Sequence, residues 1–99
     1  MDINIKTTNF DADAKLLEFV NTKVNKLDKY FDGIIRAEVF LDFDKSKTKK
    51  TENKVTKIKI EIPGNNLFAE KEATSFEQAV DDVVDALAKQ IKKYKSKLK

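Results

Sequence analysis

The sequence predicts an α+β domain in the order β-α-β-β-β-α, with two helices packed on one face of a four-stranded sheet. Three observations predict it. Two long stretches, one near the start and one at the end, repeat apolar residues at helical spacing. Shorter stretches between and before them alternate apolar and polar residues. Turn-forming residues separate these stretches. With 99 residues and no internal repeat or linker, the chain is expected to form one domain over 1–99, large enough for a modest core.

Residues 2–7 set Ile3 and Ile5 in alternation with Asn4 and Lys6, the pattern of a short strand. Asn9-Phe10-Asp11 offers a helix start, with Asp11 as the expected N-cap. Over residues 12–31, Leu16, Val20, Val24, Leu27 and Phe31 recur at spacings of three and four and form one stripe. At ~100° per residue, Lys15, Lys23 and Lys26 fall on one flank of that stripe, Asp28 on the other, and Lys29 opposite it. Asp32-Gly33 ends the helix, glycine supplying the C-terminal cap.

Residues 34–44 alternate Ala37, Val39, Leu41 and Phe43 with Arg36, Glu38, Phe40, Asp42 and Asp44. Residues 55–62 alternate Ile58, Ile60 and Ile62 with Lys57, Lys59 and Glu61. Between them, residues 45–54 read as a long, polar, mobile hairpin loop. Pro63-Gly64-Asn65-Asn66 signals a tight turn, and residues 67–73 a fourth, weaker strand. Ser75 caps the last helix, with Gln78 completing a capping box. Its stripe is Phe76, Val80, Val83, Val84, Leu87, Ile91, Tyr94 and Leu98. Two amphipathic helices and an alternating sheet imply two layers.

Charged residues make up 37% of the chain, against roughly 25% in an average globular protein. The net charge of +3 hides a segregation: residues 86–99 hold six lysines and no acid, while Glu77, Asp81, Asp82 and Asp85 crowd just before them. This suggests an anionic partner on one face, with a merely solubilising surface as the alternative. There is no cysteine and no histidine, so disulfides, thiolate or histidine metal sites and histidine-based catalysis are excluded. Gly33 and Gly64 are the only glycines, too few for a phosphate loop. Asp42 with Asp44, and Asp81 with Asp82 and Asp85, lack calcium-loop spacing. No enzyme, metal or cofactor is expected. No apolar run approaches ~18 residues, and Met1-Asp2-Ile3-Asn4 does not open a signal peptide, so a cytoplasmic protein is expected, away from membranes.

Lys89, Lys93 and Lys97 recur every four residues along the last helix, with Lys92 beside them. Like charges at that spacing repel by a few tenths of a kcal/mol per pair, which phosphate would relieve. Cations at a helix C-terminus also complement its dipole, so part of the row has a structural reason. Lys15, Lys23, Lys26 and Lys29 form a second basic strip. With both helices on one face, the strips can border a shared groove. RNA contact and a solvated face are the two readings. On the other sheet face, Lys57 and Lys59 can lie across from Asp42 and Glu38 and be neutralised. Phe40 stands nearly alone there, which argues against base stacking of the RNA-recognition-motif kind.

Lys26-Leu27-Asp28-Lys29-Tyr30-Phe31-Asp32 resembles the K-L-E-K-Y-F-D stretch of the ribosome hibernation-promoting factor family, which includes the ribosome-associated inhibitor and S30EA-like proteins. Ser75-Phe76-Glu77-Gln78-Ala79-Val80-Asp81 and the later run from Leu87 to Lys99 resemble that family's D-M-Y-x-A-I-D and L-x-R-Q-L-x-K-x-K-x-K. The resemblance covers essentially the whole chain. It implies a fold akin to double-stranded-RNA-binding domains and a factor that inhibits translation on idle ribosomes, in stationary phase or stress. It further implies contact with small-subunit rRNA near the mRNA channel and the A and P sites. The positions matching the family's basic contacts are Lys23, Lys26, Lys29, Lys89, Lys93 and Lys97.

Three departures bear on individual contacts. Glu77 replaces the family's tyrosine, Ala86 stands where a basic residue often precedes Lys89 by one turn, and Lys89 replaces arginine. By length the chain resembles the short form of the family, without a dimerisation domain or acidic tail. Its expected partners are small-subunit rRNA and the ribosome, with ribosomal proteins as further candidates, and it is expected to be monomeric off the ribosome. A ribosome-independent duplex-RNA binder and a protein-interaction adaptor are the alternatives. The absence of a G-P-x-H motif weighs against the first of these.

Overall fold

A computed structural model describes residues 1–44 and 53–97. The elements are β1 (Asp2–Thr8), α1 (Ala14–Asn25), a 3₁₀ turn (Lys26–Lys29), β2 (Arg36–Phe43), β3 (Lys54–Ile62), β4 (Asn65–Ala73) and α2 (Phe76–Lys97). The strands form one sheet in the order β1-β2-β3-β4, β1 parallel to β2 and the other pairs antiparallel. Both helices cover one face, α2 over β3 and β4, α1 against β1 and α2. The predicted fold class and element order hold.

Alternation places the core. Ala37, Val39 and Leu41 of β2 and Ile58, Ile60 and Ile62 of β3 are buried under the helices. Val20, Val24 and Leu27 meet them from above, as do Val80, Val83, Leu87 and Ile91 of α2. Leu98 and most of the 45–54 loop lie outside the described residues. Of that stretch, Asn53 is buried and Lys54 already belongs to β3.

The route from β1 into α1 differs from expectation. Asn9 adopts φ 69, a left-handed conformation that asparagine tolerates, and its amide Nδ2 donates to Asp42 Oδ1 (3.2 Å) and the Phe43 carbonyl (3.3 Å). Phe10 stacks on Phe76 with centroids 4.4 Å apart. This anchor uses up the residues before the helix, so the N-cap is Asp13, not Asp11. Its carboxylate accepts from the Leu16 N–H at 2.8 Å.

The helix also ends earlier than residue 31. It tightens into 3₁₀ geometry after Asn25, and Gly33 (φ 92) serves the turn into β2 rather than capping the helix directly. At the other turn, Pro63 and Gly64 (φ 79) join Ile62 to its partner Asn65, as a type II turn requires. Ser75 Oγ accepts from the Gln78 N–H at 3.1 Å, but the Gln78 side chain donates forward to Asp82 (2.9 Å). Thus only half of the expected capping box forms.

Thr56 is 0% exposed, points to the core side of β3, and its Oγ1 has no hydrogen-bond partner among the described residues. An unsatisfied buried hydroxyl costs about 1–3 kcal/mol. Thr56→Val removes it at similar shape and suits a strand. The expected result is a rise in stability of about 1 kcal/mol, read as a higher urea midpoint at unchanged slope. A lower midpoint would show that the hydroxyl stabilises the fold.

Candidate nucleic-acid interface

The two helices run in the same direction. Contacts along the chain rise together: Phe10 with Phe76, Lys23 with Asp81, Tyr30 with Lys92, Phe31 with Tyr94. The C-terminal end of α1 and the 3₁₀ turn therefore lie beside the lysine-rich half of α2. Lys26 and Lys29 of the turn thus stand at the same end of the helix layer as Lys89, Lys92 and Lys93, with Lys97 further along α2. The acidic half of α2 lies toward the other end, beside the body of α1.

The 3₁₀ turn matters for the charges. In α geometry Lys26 and Lys29, three residues apart, are offset by about 60° around the helix. In 3₁₀ geometry, at about three residues per turn, positions three apart eclipse one another. Lys29 therefore shares an edge with Lys26 instead of lying opposite the apolar stripe. The turn is held from below by buried Leu27 and from the side by aromatic contacts. The Phe31 and Tyr94 rings lie 6.0 Å apart, and Lys92 Nζ sits 5.1 Å from the Tyr30 ring centroid.

The sequence-selected lysines divide into groups. Lys23 Nζ is 2.9 Å from Asp81 Oδ1 and 5.5 Å from the Phe19 ring centroid, so it clips α1 to α2. Lys89 Nζ is 3.3 Å from Asp85 Oδ2 one turn back, a largely exposed pair of the kind that contributes little and can be exchanged. Lys26, Lys29, Lys93 and Lys97 are exposed and form no ion pair among the described residues. Lys15 stands in the first turn of α1, about 16 Å before Lys26 at 1.5 Å per residue. It is not brought together with the others.

The outer sheet face is arranged differently. Its register gives four rows across the strands: Asp2, Arg36, Glu61 and Asn66; Asn4, Glu38, Lys59 and Phe68; Lys6, Phe40, Lys57 and Glu70; Thr8, Asp42, Val55 and Glu72. Lys59 faces Glu38 as expected. Lys57 faces Phe40 and Glu70, whereas Asp42 faces Val55. Phe40 is not nearly alone, because Phe68, 50% exposed, lines a cleft with it. The sequence carried the signal: Phe68 is one residue out of phase with the buried Leu67 and Ala69.

The inner face of β4 ends differently again. Lys71 points to the helix side at this edge strand and borders a polar recess of about 380 Å³ with Asp82, Asp85, Ala86 and Lys89. An inward-pointing charge of this kind guards an edge strand against pairing with another chain.

These features define a class: a small α+β domain whose fold is like that of double-stranded-RNA-binding domains, with a helix layer polarised from an acidic to a basic end. Within that class, the chain belongs to the family described as Sigma 54 modulation protein / S30EA ribosomal protein, which matches residues 3–99. It is 32% identical over 99 residues to the ribosome hibernation promoting factor of Escherichia coli strain K12, covering 100% of this chain and 98% of that protein. The ribosome hibernation promotion factor of Deinococcus radiodurans is 28% identical over 89 residues, 90% of this chain and 46% of that protein.

Among solved structures, the Protein Y N-terminal domain of Thermus thermophilus superposes with a TM-score of 0.80 at 27% identity, covering 95% of this chain and 99% of that one. A ribosomal subunit interface protein from Coxiella burnetii superposes with a TM-score of 0.82 at 24% identity, covering 97% and 99%, a likeness of fold. The family is non-enzymatic, in agreement with the sequence. No helix among the described residues is long and apolar enough to cross a membrane.

Proposed function

We propose that this protein is a ribosome hibernation factor that docks on small-subunit rRNA with the basic end of its helix layer. Its body then excludes mRNA, tRNA or initiation factors near the mRNA channel and the A and P sites, and no bond is made or broken. The observation that carries this reading is that Lys26 and Lys29 stand at the same end of the helix layer as Lys89, Lys92 and Lys93, on helices that run in the same direction. The names of the relatives support it. Lysines read phosphate rather than base edges, so recognition follows rRNA shape. Lys97 extends the contact along α2. Lys23 supports it by holding the helices together, and Lys15 lies at its margin. A ribosome-bound factor works in the cytoplasm, as a monomer when free, in stationary phase or stress.

The test is co-sedimentation with purified small subunits, set against binding to a generic RNA duplex. Preference for the subunit supports the reading; equal affinity for the duplex favours a ribosome-independent RNA binder. Salt gives a second readout. With about five lysines on phosphates, affinity should fall roughly 100- to 1000-fold between about 50 and 200 mM salt. A flat response would sink the electrostatic model.

A further inference from the structure

We propose that the outer face of the sheet holds a second binding site, a cleft that takes an arginine side chain from an extended, basic protein segment. The cleft measures about 430 Å³ and is lined by Thr8, Phe40, Asp42, Lys57 and Phe68. It lies on the face opposite the helices, so it stays open when the helix layer is engaged. Phe68 is half exposed and contributes nothing to the core.

The chemistry of the lining selects the guest. A phenylalanine face attracts a cation, and Phe40 already holds one, with Lys6 Nζ 5.9 Å from its centroid. The Phe68 ring has no such cation among the described residues. Asp42 supplies a carboxylate. Its Oδ1 accepts from Asn9 Nδ2 at 3.2 Å, and a carboxylate offers about four lone-pair sites, so acceptor capacity is left for a guanidinium. Two aromatic faces beside a carboxylate suit arginine better than lysine. The planar guanidinium stacks on rings and bonds a carboxylate through two donors at once.

Charge separates a peptide from RNA here. The four rows of this face set Asp2, Glu38, Asp42, Glu61, Glu70 and Glu72 against Lys6, Arg36, Lys57 and Lys59, a balance of minus two. Lys57, inside the cleft, faces Glu70 in register. A phosphate backbone gains nothing from this surface, whereas a cationic segment is attracted to it. Glu70 lies on the same face of β4, where a further basic residue of an extended guest would lie.

The experiment is an amide-resolved NMR titration of the whole chain with a capped octapeptide of alternating arginine and serine. Parallel titrations use the same peptide with citrulline for arginine, and hexauridylate. Saturable shifts at Thr8, Phe40, Asp42, Lys57 and Phe68, weakened at least tenfold by citrulline, support the proposal. Phe68→Ser should weaken the same binding about tenfold. Asp42→Asn, which keeps an acceptor for Asn9, should do likewise. Shifts confined to the acidic half of α2 would overturn the site. So would the absence of shifts on the sheet, or shifts there with hexauridylate alone. Sedimentation of Phe68→Ser with small subunits should match the unchanged protein, which separates this site from the proposed rRNA contact.

Discussion

Replacing Lys26, Lys89 and Lys93 together by glutamate should abolish co-sedimentation with small subunits and translation inhibition alike. All three are exposed and lie at the end where the 3₁₀ turn meets the second half of α2. At about 1.5 kcal/mol per charge-assisted contact, loss of three contacts corresponds to at least ~1000-fold weaker binding. Residual binding should show a salt slope reduced by about three. The fold should survive, at a modest cost from acids placed near the C-terminus of α2. Lys23 is left out of this variant because its partner is Asp81, so its loss would loosen the helix layer and confuse two effects. The matched control reverses Lys57 and Lys59 on the outer sheet face. It should bind subunits nearly normally while losing some stability, because each new glutamate faces an acid, Glu70 or Glu38. If the sheet variant were folded but unable to bind, and the helix variant bound normally, the RNA-facing side would be misassigned.

The parts of this site that are legible in the sequence are those set by local periodicity. Alternation in residues 34–44 and 55–62 is enough to assign Ala37, Val39, Leu41, Ile58, Ile60 and Ile62 to one face, and that face is the core. Helical spacing finds the stripe of α2 and the row Lys89, Lys93 and Lys97. What escapes depends on distant neighbours. The stack of Phe10 on Phe76 moves the helix start from Asp11 to Asp13, and no pattern around Phe10 points to Phe76 as its partner. The tightening after Asn25 is held by Tyr30 and Phe31 against Lys92 and Tyr94, and it turns Lys29 onto the edge of Lys26. Lys23 looks like a surface lysine until the parallel helices bring Asp81 to it. Phe68 is a different case, a purely local signal, since its phase against Leu67 and Ala69 suffices to put it on the outer face beside Phe40.

Truncation of Leu87 to alanine should give the largest loss of stability. Leu87 is 0% exposed, near the middle of α2, over a sheet whose β2 and β3 residues are equally enclosed. A buried leucine cut to alanine costs about 2–5 kcal/mol, lost transfer energy plus the cavity left behind. Domains of this size have only ~5–15 kcal/mol in hand, so the variant should melt at least ~10 °C lower. The same cut at half-exposed Phe68 should stay within about ±0.5 kcal/mol. Thermal and urea unfolding of both variants check this, and a Leu87→Ala loss below about 1 kcal/mol would mean that α2 is not seated on the sheet as described. The functional consequence differs from that of charge reversal. Leu87→Ala leaves every lysine in place, so at low temperature, where the variant is still folded, it should bind small subunits with an unchanged salt slope. Binding should disappear on warming along the same curve as the folded fraction. Loss of binding well below the melting transition would instead show that the spacing of Lys26 and Lys29 from Lys89, Lys92 and Lys93 depends on the volume of the side chain beneath them.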